Sequence, residues 1–163
     1  MLTKMLLRGT GGASRSEIAG EIQSMGARIN TNTDREITNL NLTCFKGDVS
    51  RAVALLGDAV CNATIDSAEL EVAKQEQASA NDAFNKDLMG TTLEAVHYNA
   101  FRDHMMGQPT RGDPDQLQNL TADVLNQYRA ANYTGENVVV VGTGGVEHDA
   151  LVDMVNGAFG TLP

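Results

Sequence analysis

The stretch that decides the fold is 26-GARINTNTDREITNLNLTCF-45, in which apolar and polar residues alternate. Residues 27–31 place every second side chain on one side of an extended chain, and residues 37–45 repeat the same two-residue period. The polar run 33–36 lies between them and favours a turn. The stretch therefore predicts two adjacent antiparallel strands joined by a short connection.

Helical spacing of apolar residues surrounds this predicted hairpin. A first helix is expected to end before Gly9, and Ser14–Glu17 has the pattern of a capping box that opens a second helix. Asp48 and Asp66 are predicted N-caps. Asp66 is expected to open a long helix that continues to about Gly90. Further helices are predicted at 91–101, 121–131 and 147–159, with a loop at 107–115 and an apolar strand at 137–142.

Length, composition and charge limit the classes of function. A chain of 163 residues and 17.4 kDa suits one domain. The net charge of −9 argues against nucleic-acid binding, which needs a basic face. A solvated acidic surface is the preferred interpretation of this charge, and attraction to basic peptides is the alternative. No apolar run approaches the roughly 20 residues that span a bilayer, so we expect any membrane association to come through partners.

The cysteines and histidines give no pattern of a reactive or metal site. Cys44 and Cys61 form no Cys-x-x-Cys pair and are predicted to be buried thiols in a reducing compartment. His97 and His104 would stand two turns apart even on one helix, too far to share a metal ion. His148 falls in the first turn of the last predicted helix, where a surface or capping role is preferred to a ligand role.

The glycine-rich segment Gly142–Gly145 follows a predicted strand and precedes a helix, which is the position of a dinucleotide-binding turn. Glu147 stands where the last glycine of that motif belongs, and too little chain follows for a second βαβ unit. A tight strand-to-helix turn is therefore the preferred interpretation.

The whole arrangement resembles the N-terminal half of an M16 (pitrilysin-like) peptidase. In that family a His-x-x-Glu-His helix runs into an apolar-Lys/Arg-Gly-Thr stretch, which Arg8-Gly9-Thr10 matches. Further segments match in the same order along the chain: Thr64–Glu71, His97–Phe101, Gly107–Leu120 and Val138–Pro163. An ordered series over the full length is a specific signal.

The resemblance implies that the zinc and catalytic positions carry other residues here. Thr3 stands where the general-base Glu belongs, and Lys4 stands where the second zinc-binding His belongs. Ala80 takes the position of the third ligand and Ala73 that of a supporting Glu, while the first His would fall just before Met1. A hydroxyl is not appreciably deprotonated near neutral pH, and an ammonium has no lone pair to give a metal. We therefore expect no catalytic residue, no zinc ligand and no cofactor.

The fold implied by the resemblance is α+β, a mostly antiparallel sheet with helices packed on one face. Met1 falls inside a predicted helix, so residues 1–163 are expected to form one M16-like half that lacks its opening strands. Beside the hairpin turn, Asp34, Arg35 and Glu36 lie near where the family's substrate strand would pass. A solvated charge cluster is the preferred interpretation there.

The function implied by the resemblance is that of a non-catalytic core subunit of mitochondrial ubiquinol–cytochrome c reductase (respiratory complex III). Its expected partners are a second M16-like core subunit and the membrane subunits, on the matrix side of the inner membrane. The first alternative is a processing-peptidase subunit that binds presequences while a partner carries zinc. The second is an M16-like subunit of another respiratory complex.

Overall fold

A computed structural model describes residues 1–163 as an α+β fold, as predicted. The two strands are β1 (Arg28–Thr33) and β2 (Thr38–Thr43). Two short 3₁₀ turns lie at Lys46–Asp48 and Met105–Gly107. The helices are α1 (Leu2–Met5), α2 (Arg15–Ser24), α3 (Val49–Cys61), α4 (Ser67–Phe84), α5 (Leu88–Ala100), α6 (Pro114–Leu117), α7 (Ala122–Asn132) and α8 (His148–Phe159).

The predicted hairpin is confirmed. β1 and β2 pair antiparallel from Arg28 opposite Thr43 to Thr33 opposite Thr38. At the turn, the Asp34 carboxylate accepts hydrogen bonds from the N–H groups of Ile37 (2.8 Å) and Glu36 (2.9 Å). These two bonds hold the pKa of Asp34 below its usual value, so the turn is stabilised by the ionised carboxylate.

The helix N-termini follow the sequence signals at two of three sites. The capping box at Ser14 is confirmed, with Ser14 and Glu17 each accepting from the other's backbone N–H. Asp66 caps α4 through the N–H groups of the next helical turn. Asp48 precedes α3 but makes no capping hydrogen bond, because its carboxylate accepts from Arg51 instead (2.8 Å).

The boundary between α4 and α5 differs from the prediction. The break comes at residues 85–87 rather than near Gly90, which lies inside α5. Asp87 fixes the start of α5 by accepting a hydrogen bond from the Met89 N–H at 3.1 Å. Gly90 remains helical because the missing side chain leaves room for the ring of Phe84.

The prediction of a strand at 137–142 is wrong. The N–H groups of residues 139–142 donate to no protein acceptor, so this segment forms no ladder. Val139 and Val141 are 83% and 77% exposed. An apolar run at strand spacing becomes a strand only when a neighbouring chain supplies the matching backbone groups, and none lies alongside.

The core lies where α1 packs against α4. Its central buried residues are Leu2, Met5, Leu6, Ala63, Leu70, Ala73 and Leu125. A second contact joins α3 to α8, where Gly57 lets the backbone at Ala158 approach closely. No helix combines the length and apolar character that crossing a bilayer requires.

Candidate functional site

The contact between α1 and α4 holds two of the residues that the sequence placed at site positions, Thr3 and Ala73, whereas Ala80 lies outside it. Thr3 is buried on α1, and its hydroxyl lies 2.8 Å from that of Thr33 at the end of β1. Thr33 in turn accepts from the hydroxyl of Thr38 at 3.4 Å. Thr3 therefore belongs to a chain of neutral hydroxyl groups that links α1 to the hairpin.

Tyr133 completes this group of hydroxyls at the end of α7. Burial raises the pKa of its phenol, and the nearby hydroxyl groups of Thr3 and Thr38 offset part of this effect. A phenol with a raised pKa stays protonated at neutral pH. The hydrogen bonds among Thr3, Thr33 and Thr38 are between neutral hydroxyl groups and join α1 to the hairpin, and the Tyr133 phenol lies beside them.

Lys4 follows Thr3 on α1 and is half-buried. It makes no ion pair with any Asp or Glu. On α4, the two other positions that the sequence singled out differ in environment. Ala73 is fully buried against α1, whereas Ala80 is exposed near the end of the helix.

An ion-pair cluster lies beside these positions, and its centre is the buried guanidinium of Arg8. Arg8 donates to Glu69 at 3.0 Å and to Glu76, both on α4. Arg15 at the start of α2 reaches the same two carboxylates, at 3.4 Å and 3.9 Å. We call these four residues the Arg8 cluster. Glu76 lies on the same side of α4 as Ala73 and Ala80, since it is three and four residues from them.

The charged residues of the hairpin turn do not all behave as predicted. Arg35 is largely buried and pairs with Glu94 on α5 at 3.3 Å, so the hairpin tip is tied to that helix. Its Nε atom is buried without a hydrogen-bond partner. Asp34 and Glu36 are exposed. The solvated-cluster interpretation thus holds for the two acids and is wrong for Arg35.

The three histidines lie apart and have separate local contacts. The ring of His97 stacks on Phe101, and His104 Nδ1 accepts from the Met106 N–H at 3.2 Å. His148 is the first residue of α8, as predicted. No group of three or more His, Cys, Asp or Glu side chains is arranged to hold a metal ion.

Both cysteines are free and half-buried rather than fully buried. The turn Gly142–Gly145 leads from the extended segment into α8, as predicted, with Gly144 at φ +103°. A groove of about 410 Å³ runs between residues 140–142 and α8, and it is lined mainly by valines and Leu151. His148 and Asn156 are its polar lining residues.

Sequence reasoning missed the Arg8 cluster and the role of Tyr133. Glu69 and Glu76 are seven residues apart, which places both on one face of a helix, and this spacing was a usable signal. The contact of Arg8 with that face depends on how α1 meets α4, which no local pattern contains. Tyr133 likewise comes to lie beside the threonine hydroxyls through tertiary packing alone.

Comparison with family models identifies two matches that together cover nearly the whole chain. The model described as Insulinase (Peptidase family M16) matches residues 1–114, and that described as Peptidase M16 inactive domain matches residues 119–163. These matches confirm the family resemblance that the sequence indicated.

Curated relatives of two kinds align with the chain. The mitochondrial-processing peptidase subunit beta of Lentinula edodes is 30% identical over 162 residues, covering 99% of this chain and 35% of the relative. The ubiquinol-cytochrome-c reductase complex core protein I of Euglena gracilis is also 30% identical, over 99% of this chain and 33% of the relative. The human cytochrome b-c1 complex subunit 1 is 28% identical, and the alignment covers 99% of this chain and 34% of that relative. The chain thus spans about a third of the length of these relatives.

Solved structures share the fold. A protease from Helicobacter pylori superposes with a TM-score of 0.90 at 18% identity, covering 99% of this chain and 39% of that one. A peptidase M16 inactive domain from Pseudomonas fluorescens gives the same TM-score at 17% identity, covering 99% of this chain and 40% of that one. At these identities the likeness establishes the architecture alone.

Proposed function

The chain belongs to peptidase family M16, and from this premise we propose that it is a non-catalytic part of a core subunit of mitochondrial ubiquinol–cytochrome c reductase. In this role residues 1–163 form one M16-like half whose task is to fold and to dock. The observation that carries the proposal is the chemistry of the side chains at Thr3, Lys4 and Ala80.

The zinc ion that the family implies does not fit these side chains. A catalytic zinc takes imidazole or carboxylate ligands and leaves one position open for water. Lys4 offers an ammonium and Ala80 a methyl group, neither of which donates a lone pair. Thr3 offers a hydroxyl that shares a hydrogen bond with Thr33. A water molecule attacking a peptide carbonyl would find no base at this position.

The nearby carboxylates give no substitute donor set. Glu69 and Glu76 are the acidic residues of α4 that lie towards α1, and both are bound by Arg8 and Arg15. Two guanidinium groups oppose the approach of a divalent cation by charge repulsion. The Arg8 cluster therefore supports a structural rather than a metal-binding role for this face.

The proposal includes the partners and location of the assembly. We propose a second M16-like core subunit and membrane subunits of the respiratory complex as partners, on the matrix side of the mitochondrial inner membrane. The supporting observations are the mitochondrial names of the core-protein relatives and their membership in the cytochrome b-c1 complex. The chain itself would carry no redox cofactor and would not catalyse a reaction.

A second candidate function has a specific observation in its favour. The chain is as similar to a processing-peptidase beta subunit as to a core protein, at 30% identity to each. Its net charge of −9 would attract basic presequence peptides. In that case the chain would contribute a binding wall, and a partner subunit would hold the zinc.

Purification of the native assembly through a tag on the full-length protein separates the two candidates. The core-subunit proposal expects haem absorbance of b and c₁ type in the purified assembly, and no cleavage of a presequence peptide that depends on this chain. Chelator-sensitive cleavage in an assembly without haem would favour the processing peptidase. The Lys4→Met variant serves as a control, since it should leave zinc content and any cleavage rate unchanged in either case.

Finding stoichiometric zinc bound through residues 1–163 would contradict both candidates. The measurement is the difference in zinc content between the wild-type assembly and the Lys4→Met variant, because zinc held by a partner subunit is the same in both. A zinc content that falls in the variant would show that Lys4 or its neighbours take part in binding.

A further inference from the structure

We draw no further inference here: the strongest candidate, the extended segment 138–142 beside α8, where the N–H groups of residues 139–142 are unpaired and Val139 and Val141 are exposed, carries nothing, because nothing in the structure shows what covers it and a strand from elsewhere in the same polypeptide restates the expectation that residues 1–163 lack their opening strands.

Discussion

Replacing Arg8 by methionine tests whether the Arg8 cluster holds α1 and α2 to α4. Methionine keeps the apolar stem and removes the guanidinium group that binds Glu69 and Glu76. Arg15 remains, but its contacts with the two carboxylates are longer, at 3.4 Å and 3.9 Å. The variant therefore leaves two like charges close together with weaker compensation.

The expected loss of stability is about 2 kcal/mol. A hydrogen bond to a charged group contributes about 1.5–3 kcal/mol when it is well buried. Glu69 and Glu76 are 32% and 45% exposed, so water compensates part of each lost bond. Allowing about 1 kcal/mol for each bond gives the total, which corresponds to a fall in Tm of roughly 4–8 °C for a chain of this size.

Urea denaturation followed by far-UV circular dichroism measures this difference. The triple variant Arg8→Met/Glu69→Gln/Glu76→Gln is the matched control, because it removes the carboxylates together with their partner. Its stability should return to within about 1 kcal/mol of the wild type, as replacement of whole ion-pair groups often costs little. Equal losses in the single and triple variants, or a loss below about 0.5 kcal/mol in Arg8→Met, would refute the reasoning.

Three further changes have defined outcomes. Burial raises the pKa of Tyr133 above 10.0, so the folded state holds the phenolic proton more tightly than the unfolded state. The contribution of Tyr133 to the unfolding free energy is therefore fully present below pH 10 and is lost as the pH rises further. Tyr133→Phe should flatten this loss in denaturation curves taken at roughly pH 9 to 11. Asp66→Ala should lower the unfolding free energy by about 1 kcal/mol through loss of the α4 cap, whereas Asp66→Asn should not. Gly26→Ala, at φ +58°, should destabilise by about 1 kcal/mol, while Gly20→Ala inside α2 should stabilise slightly; equal effects of the two would contradict the role of the left-handed conformation.

The sequence predicted those elements whose signals are local. The hairpin is specified by alternation on both sides of a polar turn, and α2 by a capping box followed by helical spacing. The α4–α5 boundary was placed three residues late because Gly90 is a stronger local signal than Asp87. In the structure the aspartate determines where α5 begins, since its carboxylate satisfies a backbone N–H that would otherwise be free.

The other features that sequence reasoning missed depend on contacts between distant residues. Residues 138–141 have the composition of a buried strand, but a ladder requires backbone partners that a single segment cannot supply. The pairing of Arg35 with Glu94 joins residues 59 positions apart, and that of Arg8 with Glu76 joins residues 68 apart. Such pairs are set by the packing of helices and leave no periodic trace.

Under the proposed function, the α1–α4 contact is a former reaction centre that has become part of the core. Ala73 is fully buried there against Leu2 and Met5, where a carboxylate would be removed from water without a partner. A charged ligand set restricts how closely two helices can pack, because each charge needs a metal or a hydrogen bond. Alanine at position 73 and a hydroxyl at Thr3 remove that restriction, and the contact can then be closed by apolar packing and neutral hydrogen bonds. The same substitutions that remove catalytic chemistry therefore favour a rigid structural element, which is what a docking subunit requires.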